Sequence, residues 1–366
     1  MATNPLVRLA ELGQSPWYDF ITRQLMASGE LARLIAEDGL RGMTSNPTIF
    51  EKAIASSADY DADIRRLAAQ GKSPAEIFEA LAVADVRAAC DTFRPVYDRT
   101  ESADGLVSLE VSPTLAHDSK GTIIEATRLW QAVARPNAMI KIPGTTAGLL
   151  AIEHCLAVGI NVNVTLLFAV SRYEEVIEAF LKGLEHRAGK EQPLAGIASV
   201  ASFFVSRVDT KVDPSLDRAG RSDLRSRAAI ANACAAYAAF ERAFSGPRWE
   251  KLARLGARPQ RPLWASTSTK DPKLPDTYYV EALIGPHTVN TLPPDTFRAY
   301  RERGRPKVRI LQGVAAAPET LRSLRQAGID LDRVTSELED DGVQKFAASY
   351  ASLLEGIEAK VGALTA

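Results

Sequence analysis

Ala138-Met139-Ile140-Lys141-Ile142-Pro143-Gly144-Thr145-Thr146 sets a lysine in the middle of an apolar, strand-like run that a Pro-Gly turn closes. A lysine so placed either snorkels to water from an edge strand or serves a dry site. Burial disfavours the ammonium form, and a neutral amine is the nucleophile that forms a Schiff base with a carbonyl. For a lysine considered alone, the edge-strand alternative is the commoner one. The residues around Lys141 in the rest of the chain decide between the two.

Working outward, short apolar runs alternate with long Ala/Leu-rich amphipathic stretches, the pattern of repeated βα units around a parallel sheet. The runs at 17–20, 40–44, 106–111, 139–142, 160–167, 196–205 and 263–266 read as strands, and 279–283 with its sequel to 289 reads as the eighth. Helices are predicted over 21–38, over 49–97 with an interruption at Gly71-Lys72-Ser73-Pro74, up to about 133, over 146–158 and over 226–244. Ser73 reads as an N-cap, with Pro74 at the first helical position and Glu76 completing a capping box. The charged stretch 211–227 reads as an exposed loop. Eight βα units predict an α/β chain folded as a closed (β/α)8 TIM barrel, a single domain over 1–366 with additional N- and C-terminal helical segments. The segment 334–366 is expected to be a helical tail packing on the barrel.

The chain has 366 residues, 46% hydrophobic and 24% charged, with a net charge of −1. That charge gives no basic footprint for nucleic acid or an anionic membrane, and no apolar run approaches a membrane span. The N-terminal residues lack a basic region followed by an apolar one, so no signal peptide is read and a cytoplasmic location is expected. Cys90, Cys155 and Cys234 are odd in number and far apart, which points to reduced core thiols. His117, His154, His186 and His287 form no closely spaced pair, so no metal centre is expected. Near-neutral charge is compatible with a monomer or a homodimer.

Nearly every predicted strand carries a polar residue near its C-terminal end, where barrel enzymes build their sites. Asp19 lies between aromatics in the first, Asn46 follows the second, Glu110 interrupts the third, and Lys141 sits in the fourth. Asn161, Asn163 and Thr165 alternate along the fifth, which puts all three on one face, toward the barrel interior. Ser202 and Arg207 flank the end of the sixth, and Ser266 to Lys270 follow the seventh. Each has an ordinary structural explanation: Asn46 as a turn former, Thr165 as a strand former, Arg207 as a surface ion-pair partner. Their recurrence at one height of the barrel argues jointly for a site, because carboxylates and a lysine inside a barrel need one another.

With these residues in place, the chain resembles the transaldolase family. The segments that carry the likeness are Gly42-Met43-Thr44-Ser45-Asn46-Pro47-Thr48-Ile49-Phe50, Ser108-Leu109-Glu110-Val111, Met139-Ile140-Lys141-Ile142-Pro143-Gly144-Thr145, Gly159-Ile160-Asn161-Val162-Asn163-Val164-Thr165-Leu166-Leu167-Phe168, Ala201-Ser202-Phe203-Phe204-Val205-Ser206-Arg207 and Trp264-Ala265-Ser266-Thr267. They run in family order from about 17 to 346, and the tail Leu338-Glu339-Asp340-Asp341-Gly342-Val343 is similar to the longer bacterial subgroup.

The resemblance implies a class I mechanism without metal or organic cofactor, acting on sugar phosphates of the pentose phosphate pathway. It implies that Lys141 forms the Schiff base, that Asp19 takes the C4 hydroxyl proton, and that Glu110 and Thr165 position a water. It further implies that Asn46 and Asn163 hold the dihydroxyacetone hydroxyls, that Ser202 and Arg207 bind phosphate, and that Phe204 lies near the reacting carbons. Many relatives carry an arginine soon after Ala-Ser; here Ser266 is followed by Thr267-Ser268-Thr269-Lys270, so Lys270 is expected to supply that charge. Phe20 replaces a second aspartate common in the subgroup, which leaves Asp19 as the one acid of the first strand. The competing expectations are a fructose 6-phosphate aldolase-type lyase and a non-catalytic barrel scaffold. The latter would have lost the lysine or an acid, and none is lost.

Overall fold

The computed structural model describes residues 4–365. Eight parallel strands close on themselves in sequence order: β1 (Gln14–Asp19), β2 (Gly42–Thr44), β3 (Leu106–Glu110), β4 (Ala138–Pro143), β5 (Val162–Leu167), β6 (Ser199–Phe204), β7 (Arg261–Ala265) and β8 (Thr288–Leu292). β1 pairs with β8 to complete the ring, and helices surround it, giving the (β/α)8 TIM barrel. The strands are buried on both faces, which is why they read as apolar runs rather than clean alternations.

Register fixes which side chains meet inside. Glu110 stands opposite Lys141, and Lys141 opposite Asn163, so three polar side chains lie in a row across β3, β4 and β5. On the far side Asp19 stands opposite Thr44. One layer lower, Trp17 is paired with Gly42, and a Cβ on Gly42 would lie 2.4 Å from Cε2 of the Trp17 indole. Glycine is needed there for space. Gly42→Ala is expected to lower stability by about 1–3 kcal/mol through overpacking, to be checked by thermal unfolding; an unchanged midpoint would mean the indole can move aside.

The bottom of the barrel is closed by charge. Arg261 donates to Ser15 Oγ at 2.9 Å and to Asp104 Oδ1 at 2.9 Å, while Ser15 donates to Asp104 Oδ2 at 2.8 Å. Asn161 belongs to this end: its amide donates to the carbonyls of Pro136 and Ala138, and its oxygen accepts from the Ala198 amide. It shares a face with Asn163 and Thr165 but lies at the opposite end from Lys141, tying strands together.

Three sequence expectations are corrected. Residues 279–282 are helical, within Tyr278–Ala282, Leu283 caps that helix, and the eighth strand is Thr288–Leu292. A five-residue apolar run does not distinguish strand from buried helix by periodicity, whereas the β-branched Thr288-Val289-Asn290-Thr291 sequel does favour a strand. The 211–227 stretch is a loop only from 219 onward; 211–218 form the second half of the helix Ser206–Arg218, which buries Val208, Val212 and Leu216 at four-residue spacing despite its charges. The expected helix at 21–38 is two short ones, Arg23–Ala27 and Glu30–Glu37, divided at Gly29 with φ +78°. The capping box at Ser73 and Glu76 is present, opening the helix Pro74–Arg99.

The C-terminal helix, Leu331–Thr365, crosses the barrel mouth. It buries Val334, Leu338, Gly342, Phe346, Leu353 and Ile357 along one stripe. Ion pairs hold it at intervals: Glu339 with Arg172 at 3.5 Å, Glu337 with Lys211 at 3.1 Å, and Lys360 with Asp61 at 2.7 Å.

Candidate active site

A cavity of about 410 Å³ opens at the C-terminal ends of the strands, lined by Asp19, Asn46, Lys141, Thr165, Ser202, Phe204, Arg207, Ser266 and Lys270 among others. A larger cavity of about 710 Å³ lies outside the strand ring, between Pro74–Arg99, Ser119–Val133 and the C-terminal helix. It lacks Lys141, Asp19 and Arg207, so the smaller cavity is where convergent polar chemistry lies.

Lys141 is 4% exposed. Its Nζ lies 3.1 Å from Glu110 Oε2 and donates to the Ser45 carbonyl at 3.1 Å. Among the described residues neither oxygen of Glu110 accepts a well-aligned hydrogen bond, and Thr165 Oγ1 is buried without a partner. Burial raises the Glu110 carboxyl above the ordinary range; Lys141 draws it down and Asp19 adds slightly to the rise. A buried amine thus has a poised proton acceptor beside it.

Asp19 approaches from β1. It is half-buried, with Thr44 Oγ1 donating to it at 2.6 Å and Thr44 in turn 2.6 Å from Thr291 Oγ1. Burial raises its carboxyl, against the pull of Lys141, the Thr44 hydroxyl and Arg207. Two carboxyls with raised pKa face one amine, the arrangement expected where protons are moved.

Between them lie the amides. Asn163 donates to Ser108 Oγ at 2.9 Å and accepts from Ser202 Oγ at 2.7 Å. Ser202 is therefore engaged in the barrel interior with Asn163. Asn46 combines two uses: its Oδ1 caps the helix Pro47–Ala55 by accepting from the Ile49 amide at 3.0 Å, and the side chain lines the cavity.

Arg207 stands in the first turn of the helix Ser206–Arg218, with its guanidinium 4.9 Å from the Phe204 ring centroid. Burial works against its charge, and Asp19 supports it. No carboxylate pairs with it among the described residues, so its five donors and the adjacent helix N-terminus face the cavity as a ready anion site. Ser206 and Ser266 hydroxyls meet at 3.0 Å beside it, and Ser266 holds φ +55°. Lys270 is exposed at the rim and donates to Ser268 at 2.8 Å.

The Arg207 helix is anchored by Asp209, which accepts from the Ala229 amide and the Tyr279 hydroxyl, both at 2.8 Å. Burial pushes this carboxyl up to about 7. An unfolded aspartate titrates near 3.9. The folded state therefore holds the proton more tightly, and the stability this group contributes is full below about 3.9 and lost as pH rises to about 7. Against Asp209→Asn, wild type is expected to lose melting temperature progressively between about pH 4 and pH 7 and then level off; parallel curves would show that Asp209 is ionised throughout.

Every residue expected from the sequence to form the site lines this cavity or, for Glu110 and Asn163, contacts one that does. Sequence reasoning missed Thr44, Thr291, Ser108 and Phe346. Thr44 and Ser108 lie within the quoted segments and read as strand formers; Thr291 was hidden by misplacing the eighth strand. Among the described residues no group of three or more His, Cys, Asp or Glu is arranged to hold a metal ion, and Cys90, Cys155 and Cys234 are free and buried. No helix is long and apolar enough to cross a membrane among the described residues.

The cavity thus gathers a buried lysine, two carboxyls whose pKa burial raises and an arginine without a carboxylate partner among the described residues at the mouth of a (β/α)8 barrel, the convergent polar set of a barrel enzyme. Comparison with known proteins gives the family. Residues 16–357 match the family model described as transaldolase/fructose-6-phosphate aldolase. A transaldolase of Acidothermus cellulolyticus is 51% identical over 358 residues, covering 97% of this chain and 96% of the relative. One of Thermobifida fusca is 48% identical over 366 residues, covering 99% and 100%, and the transaldolase 2 of a Nostoc species is 46% identical over 379 residues, covering all of both. The chain belongs to the transaldolase/fructose-6-phosphate aldolase family and is a transferase of the transaldolase type.

Proposed function

We propose that the enzyme takes a dihydroxyacetone unit from sedoheptulose 7-phosphate or fructose 6-phosphate and gives it to glyceraldehyde 3-phosphate or erythrose 4-phosphate, the exchange of the non-oxidative pentose phosphate pathway. The observation that carries this reading is the Lys141 amine, buried in the barrel mouth 3.1 Å from Glu110.

Nζ attacks the C2 carbonyl of the ketose. Glu110 takes one proton from Nζ to free the amine; after the attack a second passes from the nitrogen through a held water to the C2 oxygen, giving the carbinolamine. Glu110 then returns its proton to the C2 hydroxyl, which leaves as water, so that a protonated imine carrying the third proton remains. The Thr165 hydroxyl and the Glu110 oxygens, buried without other partners, are fitted to hold the relaying water. Asp19 then removes the C4 hydroxyl proton, the C3–C4 electron pair moves into the imine, and an aldose phosphate departs. Three carbons stay on Lys141 as an enamine, whose C3 attacks the aldehyde of the acceptor as Asp19 returns its proton. Asn163, steadied by Ser108 and Ser202, and the free amide end of Asn46 hold the dihydroxyacetone hydroxyls. Arg207, Ser266 and Lys270 receive the phosphate, and Phe204 packs near the reacting carbons. A cytoplasmic setting belongs to the same reading, supported by three buried free thiols.

Borohydride trapping with fructose 6-phosphate, followed by peptide mapping, tests it. A three-carbon adduct on Lys141, depleted when erythrose 4-phosphate is added before the borohydride, is the expected result. Depletion by water alone at the same rate would instead mark a lyase, and a folded enzyme without any adduct would leave the imine mechanism untenable.

A further inference from the structure

The C-terminal helix brings an aromatic ring to the reacting nitrogen. Phe346 is 6% exposed, lines the same cavity as Lys141, Thr165 and Phe204, and has its ring centroid 5.6 Å from Lys141 Nζ. From this geometry we infer that Phe346 is a further residue of the active site: its ring roofs Lys141, keeps water from the covalent intermediate and favours that intermediate's cationic form. The inference rests on the reading that Lys141 forms the imine.

The ring is held in place from several directions. One turn before Phe346, Gly342 lies so close to β5 that a Cβ there would be 3.0 Å from Leu166 Cδ2 and 3.6 Å from Phe168 Cε2. Leu166 reaches that position because β5 carries a register shift between Val164 and Leu167, with Leu166 at φ +60°. A bulge of this kind re-aims a side chain out of the strand's regular alternation. Phe168 in turn stacks against Phe204 at 5.2 Å. Almost a turn after Phe346, Ser349 shares a hydrogen bond of 2.8 Å with Thr48, on the helix that Asn46 caps. The tail helix is thereby fitted to the two strand ends that bracket the lysine.

The chemistry gives the ring two effects. An aromatic face attracts a cation within about 6 Å of its centroid, and the protonated imine at Nζ carries a positive charge that the neutral carbinolamine before it and the neutral enamine after it lack. The second effect is exclusion. The three-carbon enamine has two fates: C3 attacks an aldehyde, which is transfer, or C3 takes a proton and water adds to C2. In the latter case the carbinolamine breaks to dihydroxyacetone and the free Nζ amine. An apolar roof over C2 and Nζ disfavours the entry of that water.

The test compares wild type with Phe346→Ala, Phe346→Leu and Phe346→Tyr, each checked for folding by circular dichroism. Release of free dihydroxyacetone from fructose 6-phosphate is measured against transfer to erythrose 4-phosphate. Phe346→Ala is expected to raise release relative to transfer by about tenfold, within the range a lost apolar wall commands. Phe346→Leu keeps the roof without the ring face and is expected to trap about two- to thirtyfold less Lys141 adduct at equal substrate, and Phe346→Tyr is expected to restore it. Folded Ala and Leu variants that partition and trap as wild type does would overturn the inference while leaving the imine intact. Absence of adduct in wild type itself would instead overturn the reading beneath it. Should the Ala variant not fold, the Leu and Tyr pair decides by adduct yield alone.

Discussion

Lys141→Met is expected to reduce dihydroxyacetone transfer on the order of 10⁴-fold or more, because the covalent route has no second nucleophile. The cavity is lined by two other amines, Lys52 and Lys270, but both are exposed, and Lys270 is hydrogen-bonded to Ser268 at the rim. Methionine approximates the length and apolar stem of lysine. It leaves Glu110 without its cationic partner, and a carboxyl already pushed up by burial then takes a proton rather than remain an unpaired buried charge. Lys141→Arg is the companion variant: it keeps a cation beside Glu110 but offers no nucleophilic nitrogen. Both should fold, bind fructose 6-phosphate and give no borohydride adduct. Transfer persisting in either, at more than a thousandth of wild type on this order-of-magnitude scale, would remove Lys141 from the centre of the chemistry.

Asp19→Asn is the second large effect and separates two steps that Lys141 variants merge. Asparagine retains an acceptor for the Thr44 hydroxyl, which reaches Asp19 at 2.6 Å, so the β1–β2 contact survives. What is lost is a base whose raised pKa suits it to hold and return the C4 proton. Removing such a group typically costs 10²–10⁴-fold in rate. Imine formation, served by Glu110 on the other wall, should continue. Trapping this variant with fructose 6-phosphate is therefore expected to yield a six-carbon ketose phosphate adduct where wild type yields a three-carbon one. A three-carbon adduct formed at the wild-type rate would assign the C4 proton to another group.

Much of this was legible in the chain itself, for a physical reason. Barrel strands place their functional side chains at one end, so a polar residue closing an apolar run carries information about height as well as type. Glu110, Lys141 and Asn163 could be placed together because parallel register is regular, and the structure sets them side by side. Thr291 was not legible, since it depends on where the eighth strand falls, and Tyr279-Val280-Glu281-Ala282-Leu283 offered a comparable apolar run 12 residues upstream of it. The charge of 211–227 hides the helical half of that stretch, because the buried stripe of Val208, Val212 and Leu216 is set among charged residues and Pro214. Phe346 lies beyond any strand pattern: nothing in a tail helix states which turn will settle over a lysine two hundred residues earlier in sequence, roughly counted. Asn161 shows the converse limit, since period-two alternation gives a face but not a level within the barrel.

The closed floor of the barrel has a bearing on how the molecule comes together in time. Ser15 and Arg261 meet across 246 residues of sequence, and β1 cannot find β8 until the whole ring has been laid down. Contacts of such separation carry a large loop-closure entropy and make folding slow. The bonds joining Asp104, Ser15 and Arg261 are therefore expected to form late, after the local βα units. Interactions made late act chiefly on the return journey, slowing unfolding rather than speeding folding. The charged cluster beneath the active site is thus a latch on the lifetime of the native ring, and the persistence of the lysine chamber above it is governed by how seldom that latch opens.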